Sequence, residues 1–85
     1  MKYQIKVIHQ AEKDLDALDS RYFEPVKKKI ISLVETPRPF GCQKLTNEDG
    51  YRIRSGDFWI LYRIDDKAKE VIVYRIKHRK EAYLA

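Results

Sequence analysis

The sequence predicts an α+β domain in the order β-α-α-β-β-β. Three observations predict it: apolar and polar residues alternate near the amino terminus, apolar residues recur at helical spacing through residues 11–34, and alternation returns from Tyr51 to Lys77. Period two marks a strand with one buried face, whereas spacings of three and four mark an amphipathic helix.

Tyr3, Ile5 and Val7 alternate with Lys2, Gln4 and Lys6 and carry the first strand. Ala11, Leu15 and Leu18 then predict a helix of about three turns. Asp19-Ser20 reads as the break and the next N-cap region. Tyr22, Val26, Ile30, Leu33 and Val34 form the stripe of a second helix, in which Pro25 is tolerable only near the start, where a missing N–H matters least. Lys27, Lys28 and Lys29 read as the solvated face of that helix rather than as a binding motif. Thr36-Pro37-Arg38-Pro39 ends it, because a residue before proline is pushed out of the α region. Phe40 to Asp49 reads as a connector with room for a short strand around Gln43 to Leu45, and Asp49-Gly50 as a turn. Strands follow at Tyr51 to Arg54, Phe58 to Ile64 and Val71 to Lys77, linked by turns at Ser55-Gly56-Asp57 and Asp65 to Glu70. They predict a three-stranded antiparallel meander with the two-helix hairpin packed on one face. The first strand pairs with one of these, and the pattern does not choose which. Arg79 to Leu84 is a short tail compatible with a helix.

The length, 85 residues, predicts a single domain over 1–85, and a hydrophobic content of 44% is enough for one core. The net charge of +5, from 18 Lys and Arg against 13 Asp and Glu, points to polyanionic partners such as RNA, DNA or an acidic protein segment. The single cysteine, Cys42, excludes an internal disulfide and a thiolate metal cluster, and reads as a structural residue in a reducing cytosol. Lys2, Gln4, Lys6 and His9 interrupt any signal-peptide core, and no run is long enough to span a bilayer, so the expected location is cytoplasmic. His9 and His78 lack cysteine or carboxylate neighbours at ligand spacing, so no metal site is expected. With no Gly-rich phosphate loop and no Gly-x-Ser-x-Gly elbow, no cofactor is expected either.

Residues two apart on a strand share a face. Phe58, Ile60, Tyr62 and Ile64 are apolar throughout, opposite Trp59, Leu61 and Arg63. Ile72, Tyr74 and Ile76 form the apolar set of the last strand, leaving Val71, Val73, Arg75 and Lys77; Tyr51 and Ile53 oppose Arg52 and Arg54. If the helices cover the apolar sets, the other face gathers Arg52, Arg54, Trp59, Arg63, Arg75 and Lys77, with Arg79 and Tyr83 following in the tail. One bulge flips the part of a strand beyond it. Guanidinium forks grip phosphate oxygens, and aromatic rings stack on splayed bases, so this combination suits single-stranded RNA. The plainer alternative is a solvated sheet face kept soluble by its arginines.

The stretch Tyr51-Arg52-Ile53-Arg54-Ser55-Gly56-Asp57-Phe58-Trp59-Ile60-Leu61-Tyr62 resembles the core of the RelE/ParE toxin superfamily. So do Val71 to Tyr83, Ala11-Glu12-Lys13-Asp14-Leu15 and Glu35-Thr36-Pro37. The resemblance implies the toxin of a type II toxin–antitoxin pair, with a cognate antitoxin as partner. In its RelE-like branch it implies a metal-independent endoribonuclease that cleaves messenger RNA in the ribosomal A site and so inhibits translation. Arg52 and Arg54 then match two basic positions on the sheet, Arg79 a later arginine, and Tyr83 a tyrosine near the carboxyl terminus. These four are the candidate catalytic residues, with Trp59, Arg63, Arg75, Lys77 and His78 as RNA-binding candidates. The family often carries arginine where Trp59 stands, and RelE carries lysine where Arg52 and Arg54 stand. The arginines suit phosphorane stabilisation, Tyr83 the role of general base, and His78 that of an alternative proton carrier. Two other outcomes fit the same fold: a ParE-like inhibitor of DNA gyrase, and a degenerate, non-catalytic binding protein.

Overall fold

The computed structural model describes residues 2–46 and 49–80. In chain order these form β1 (Gln4–Val7), α1 (His9–Asp16), α2 (Ser20–Ser32), β2 (Gln43–Lys44), β3 (Tyr51–Ser55), β4 (Phe58–Asp65) and β5 (Glu70–His78). The α+β order is the one expected, and the short strand in the connector makes the sheet five-stranded, in the order β1-β5-β4-β3-β2. β1 lies parallel to β5, and every other pairing is antiparallel. Both helices cover one face. Ala11, Val26, Ile30 and Leu33 from the helical side meet Ile53, Ile60, Tyr62, Val71, Val73 and Ile76 of the sheet in a single core.

Local chemistry explains the boundaries. The Asp19 carboxylate accepts the Arg21 N–H at 2.9 Å and so caps α2. Pro25 lies inside α2, in its second turn rather than at its start. The helix gives up the bond a residue there would make to the Arg21 carbonyl. Val26 and Ile30 bury the stripe behind it, and this tertiary packing outweighs the lost bond. The β3–β4 turn is tight: Gly56, with φ of 59°, takes the left-handed first loop position of a type II′ hairpin. At Gly50 the need is space, since a Cβ there would stand 2.9 Å from the Tyr74 hydroxyl and 3.2 Å from the Tyr62 carbonyl oxygen.

One expectation is corrected. Ile72, Tyr74 and Ile76 do not share the covered face, because Leu61 pairs with Arg75 while Tyr62 pairs with Val73. Tyr74 is the extra residue of a bulge, and it reverses the alternation of β5. Val71 and Val73 therefore join Ile76 in the core, while Ile72 pairs with Arg63 on the opposite face.

The bulge falls where β1 ends, leaving an edge of β5 for α1 to cover. There the Asp14 carboxylate accepts the Ile76 N–H at 2.9 Å and Arg75 Nε at 3.0 Å. At the opposite end of the sheet, Arg38 grips Asp66 at 2.9 Å and donates to the Tyr51 hydroxyl at 3.1 Å, while the Tyr3 hydroxyl donates to Asp66 at 2.7 Å. These bonds fasten the α2–β2 connector and β1 to the β4–β5 turn. Among the described residues, no helix is long and apolar enough to cross a membrane.

Candidate nucleic-acid interface

The face that the helices leave open is organised by the β3–β4–β5 register. Arg54 pairs with Trp59, and Trp59 with Lys77; Arg52 pairs with Leu61, and Leu61 with Arg75. Paired residues project to the same side. One surface thus carries Arg52, Arg54, Trp59, Arg75 and Lys77, with Arg63 further along β4 opposite Ile72. Among the described residues, no carboxylate forms an ion pair with Arg52, Arg54 or Lys77.

The cations differ in how they are held. Arg52 Nε donates to Gln43 Oε1 at 2.9 Å, and its guanidinium lies 4.5 Å from the centre of the Trp59 ring. Arg54 Nε donates to the Gly56 carbonyl at 2.7 Å. The Arg79 N–H donates to the Asp57 carbonyl at 2.7 Å, and its Nε stands 3.9 Å from Asp57 Oδ1. Arg54 and Arg79 therefore converge on the Gly56-Asp57 turn, although 25 positions separate them (79 − 54). Arg75 is committed to Asp14, and Arg63 lies over the Tyr74 ring at 5.9 Å.

Trp59 sits on this face but is only 7% exposed. Its indole Nε1 is buried and has no hydrogen-bond partner among the described residues. An unpaired buried donor costs about 1–3 kcal/mol. The ring is covered by neighbours, Arg52 among them, and does not stand out as a bare platform. His78 lies on the other side of the sheet. It pairs with Phe58, their rings meet edge to face at 5.3 Å, and its Nδ1 accepts the Lys80 N–H at 3.2 Å. Phe58 packs in turn on Tyr22 at 5.3 Å. The structure thus brings together three of the four catalytic candidates, Arg52, Arg54 and Arg79, and separates His78 from them; Tyr83 lies outside the described residues.

Sequence reasoning missed Gln43, which pairs with Arg52 across β2 and β3, and Asp57, which tethers Arg79. A two-residue strand leaves almost no periodic signal, and a turn aspartate reads by default as solvated. Among the described residues, no three His, Cys, Asp or Glu side chains come together in a way that could hold a metal ion.

What the surface offers chemically is a set of permanently charged N–H donors fixed by backbone and side-chain contacts. Guanidinium stays protonated, so these groups bind and stabilise phosphate charge but do not carry protons.

The sequence matches, over residues 5–83, the family described as the ParE toxin of the type II toxin–antitoxin system parDE. No curated protein sequence matches the chain. Among solved structures, it is similar to the toxin–antitoxin complex RelBE2 of Mycobacterium tuberculosis, with 28% identity and a TM-score of 0.83 over 93% of this chain and 100% of that one. It is also similar to the archaeal RelE–RelB complex of Pyrococcus horikoshii, with 29% identity and a TM-score of 0.81 over 93% and 97% of the two chains. For the isolated RelE toxin of E. coli the identity is 27% and the TM-score 0.78, over 96% and 92%.

Proposed function

The chain belongs to the ParE toxin family of type II toxin–antitoxin systems, and from that premise we propose that it is a RelE-like, metal-independent endoribonuclease that cuts messenger RNA in the ribosomal A site. The observation that carries this reading is the cluster of Arg52, Arg54 and Lys77 on the open sheet face, none of them ion-paired with a carboxylate among the described residues, with Arg79 drawn to the same end by the Gly56-Asp57 turn.

Cleavage proceeds by attack of the ribose 2′-oxygen on the adjacent phosphorus. A P–O bond forms to the 2′-oxygen and the bond to the 5′-oxygen breaks, leaving a 2′,3′-cyclic phosphate and a 5′-hydroxyl. The proton leaving the 2′-hydroxyl needs a base, and the departing 5′-oxygen needs a proton. Arg52, Arg54 and Arg79 neutralise the charge that builds on the phosphorane oxygens, a task for preorganised donors. Tyr83 takes the 2′-hydroxyl proton, the part that the resemblance gives to the tyrosine near the carboxyl terminus. His78 is assigned no such part, since it faces the helices with Phe58 and Tyr22. The departing 5′-oxygen takes its proton from water, since the guanidiniums do not release theirs; the ribosome compensates for this weak acid–base equipment by placing the message, so free RNA is a poor substrate.

The partner in the cell is a cognate antitoxin, as it is for the RelB-bound relatives. An acidic, partly amphipathic antitoxin segment covers the basic face, and complementary charge speeds the encounter.

One observation favours a second reading. The indole at the centre of the face stands where the family often carries an arginine, which fits a toxin that acts on a protein target such as DNA gyrase. Primer extension on programmed ribosomes separates the two. Cuts within the A-site codon that require the ribosome and disappear in Tyr83→Phe and Arg79→Ala are expected. An intact message with folded, still toxic protein transfers the assignment to the gyrase-type reading.

A further inference from the structure

Arg52 is held from two directions. Its guanidinium lies 4.5 Å from the centre of the Trp59 ring, and its Nε is occupied by Gln43 Oε1 at 2.9 Å. Its two terminal nitrogens have no partner among the described residues. An arginine restrained in this way loses little further rotamer freedom when it grips an anion, and its remaining edge is the one that takes a phosphate by two parallel hydrogen bonds. The platform is itself immobilised, since Trp59 is 7% exposed between Arg54 and Lys77. Packing alone does not explain the indole, because phenylalanine or leucine, though smaller, would bury no N–H that lacks a partner among the described residues. What tryptophan adds over both is the strongest cation–π surface among the side chains.

We propose that Trp59 and Gln43 are positioning residues: together they pre-orient the Arg52 guanidinium so that its terminal nitrogens take one phosphate of single-stranded RNA. Trp59 touches the guanidinium and not a base. The inference rests on the open face being the RNA site, and it assigns this chain a way of holding its phosphate fork that residue identity alone does not disclose.

The test is a double-mutant cycle read by fluorescence anisotropy of a labelled, short single-stranded RNA oligonucleotide. Arg52→Ala weakens binding about tenfold, the loss of one charge-assisted fork. Trp59→Leu weakens it nearly as much, and the Arg52→Ala/Trp59→Leu double variant is no weaker than Arg52→Ala alone, since the platform then has nothing to hold. Trp59→Phe restores most of the loss by returning a ring beneath the cation. Gln43→Ala, at an exposed residue outside the core, weakens binding about threefold through the lost Nε anchor. In the free protein, Arg52→Ala also shifts the emission of Trp59, the only tryptophan in the chain. Additive losses in the double variant overturn the inference. So does wild-type affinity in Arg52→Ala, or in both Trp59→Leu and Gln43→Ala.

Cleavage on programmed ribosomes is scored separately. Binding that follows the cycle without any cut removes the nuclease reading and leaves the positioning pair standing. Full cleavage by Trp59→Leu and Gln43→Ala removes the pair and leaves the nuclease.

Discussion

Arg54 shows how one residue can be placed by backbone rather than by a carboxylate. Its Nε donates to the Gly56 carbonyl, the same turn whose Asp57 holds Arg79. A neutral acceptor orients the guanidinium without cancelling its charge, so the full field remains available to a phosphorane. Arg54→Ala is expected to slow single-turnover cleavage on ribosomes by about 10²–10³-fold, the usual cost of one transition-state donor, with little change in ribosome affinity. A rate within threefold of wild type removes Arg54 from the catalytic set. Asp57 has a different part: it pairs with Arg79 at 3.9 Å with both side chains about half exposed, a separation at which an ion pair is weak and easily exchanged for a phosphate.

Two carboxylates fasten the elements, each in its own way. Asp14 bridges α1 to the β5 edge that β1 leaves uncovered, and its side chain is only 15% exposed. Asp14→Ala removes the acceptor of two bonds and leaves the Ile76 N–H without its partner; a loss of about 1.5–3 kcal/mol is expected in urea unfolding. Asp14→Asn, which keeps one oxygen, loses less. An unchanged midpoint in Asp14→Ala shows that α1 is held by its apolar face alone. Asp66 ties the connector to the β4–β5 turn. Hydrogen bonds from Arg38 and then from Tyr3 draw its carboxyl down to about 2, from an ordinary 3.8. A depressed folded value gives stability that is present above the unfolded value and lost as pH falls through the folded one. The acid limb of the stability curve is therefore steepened between pH of about 4 and about 2. Asp66→Asn flattens that part of the curve, and equilibrium unfolding followed through that pH interval checks it; an identical acid limb in the variant assigns the slope to other carboxylates.

For the whole molecule, charge governs association. Single-stranded RNA binding should weaken with salt at a slope of about −0.7 per phosphate neutralised, so each of Arg52→Ala and Arg54→Ala reduces the slope by about 0.7. Anisotropy titrations across a salt series measure it. A slope unchanged in both variants places the RNA elsewhere on a chain whose net charge is +5.

The strands, both helices, the Asp19 cap and the cationic character of one sheet face were legible in the sequence, because each is written in local periodicity or in the chemistry of a few adjacent residues. The short β2 strand showed only as room in the connector, since two residues carry almost no period. Local pattern could not reveal what depends on pairing between distant segments. The parallel union of β1 with β5 is one such feature, and the bulge at Tyr74 that turns Val71 and Val73 inward is another. Arg75 and Lys77 were expected on the open face and lie there, but the same alternation misassigned Val71, Val73 and Ile72, because a single inserted residue reverses every side chain beyond it. Trp59 was legible as a member of the open face, whereas its burial, and the Arg52 guanidinium over its ring with Gln43 bonded from another strand, were not. By itself the sequence determined which residue types line the two faces, through short-range alternation. Only the tertiary structure decided which cations meet and what holds each of them, because register and strand order are set by the packing of the whole sheet against its helices.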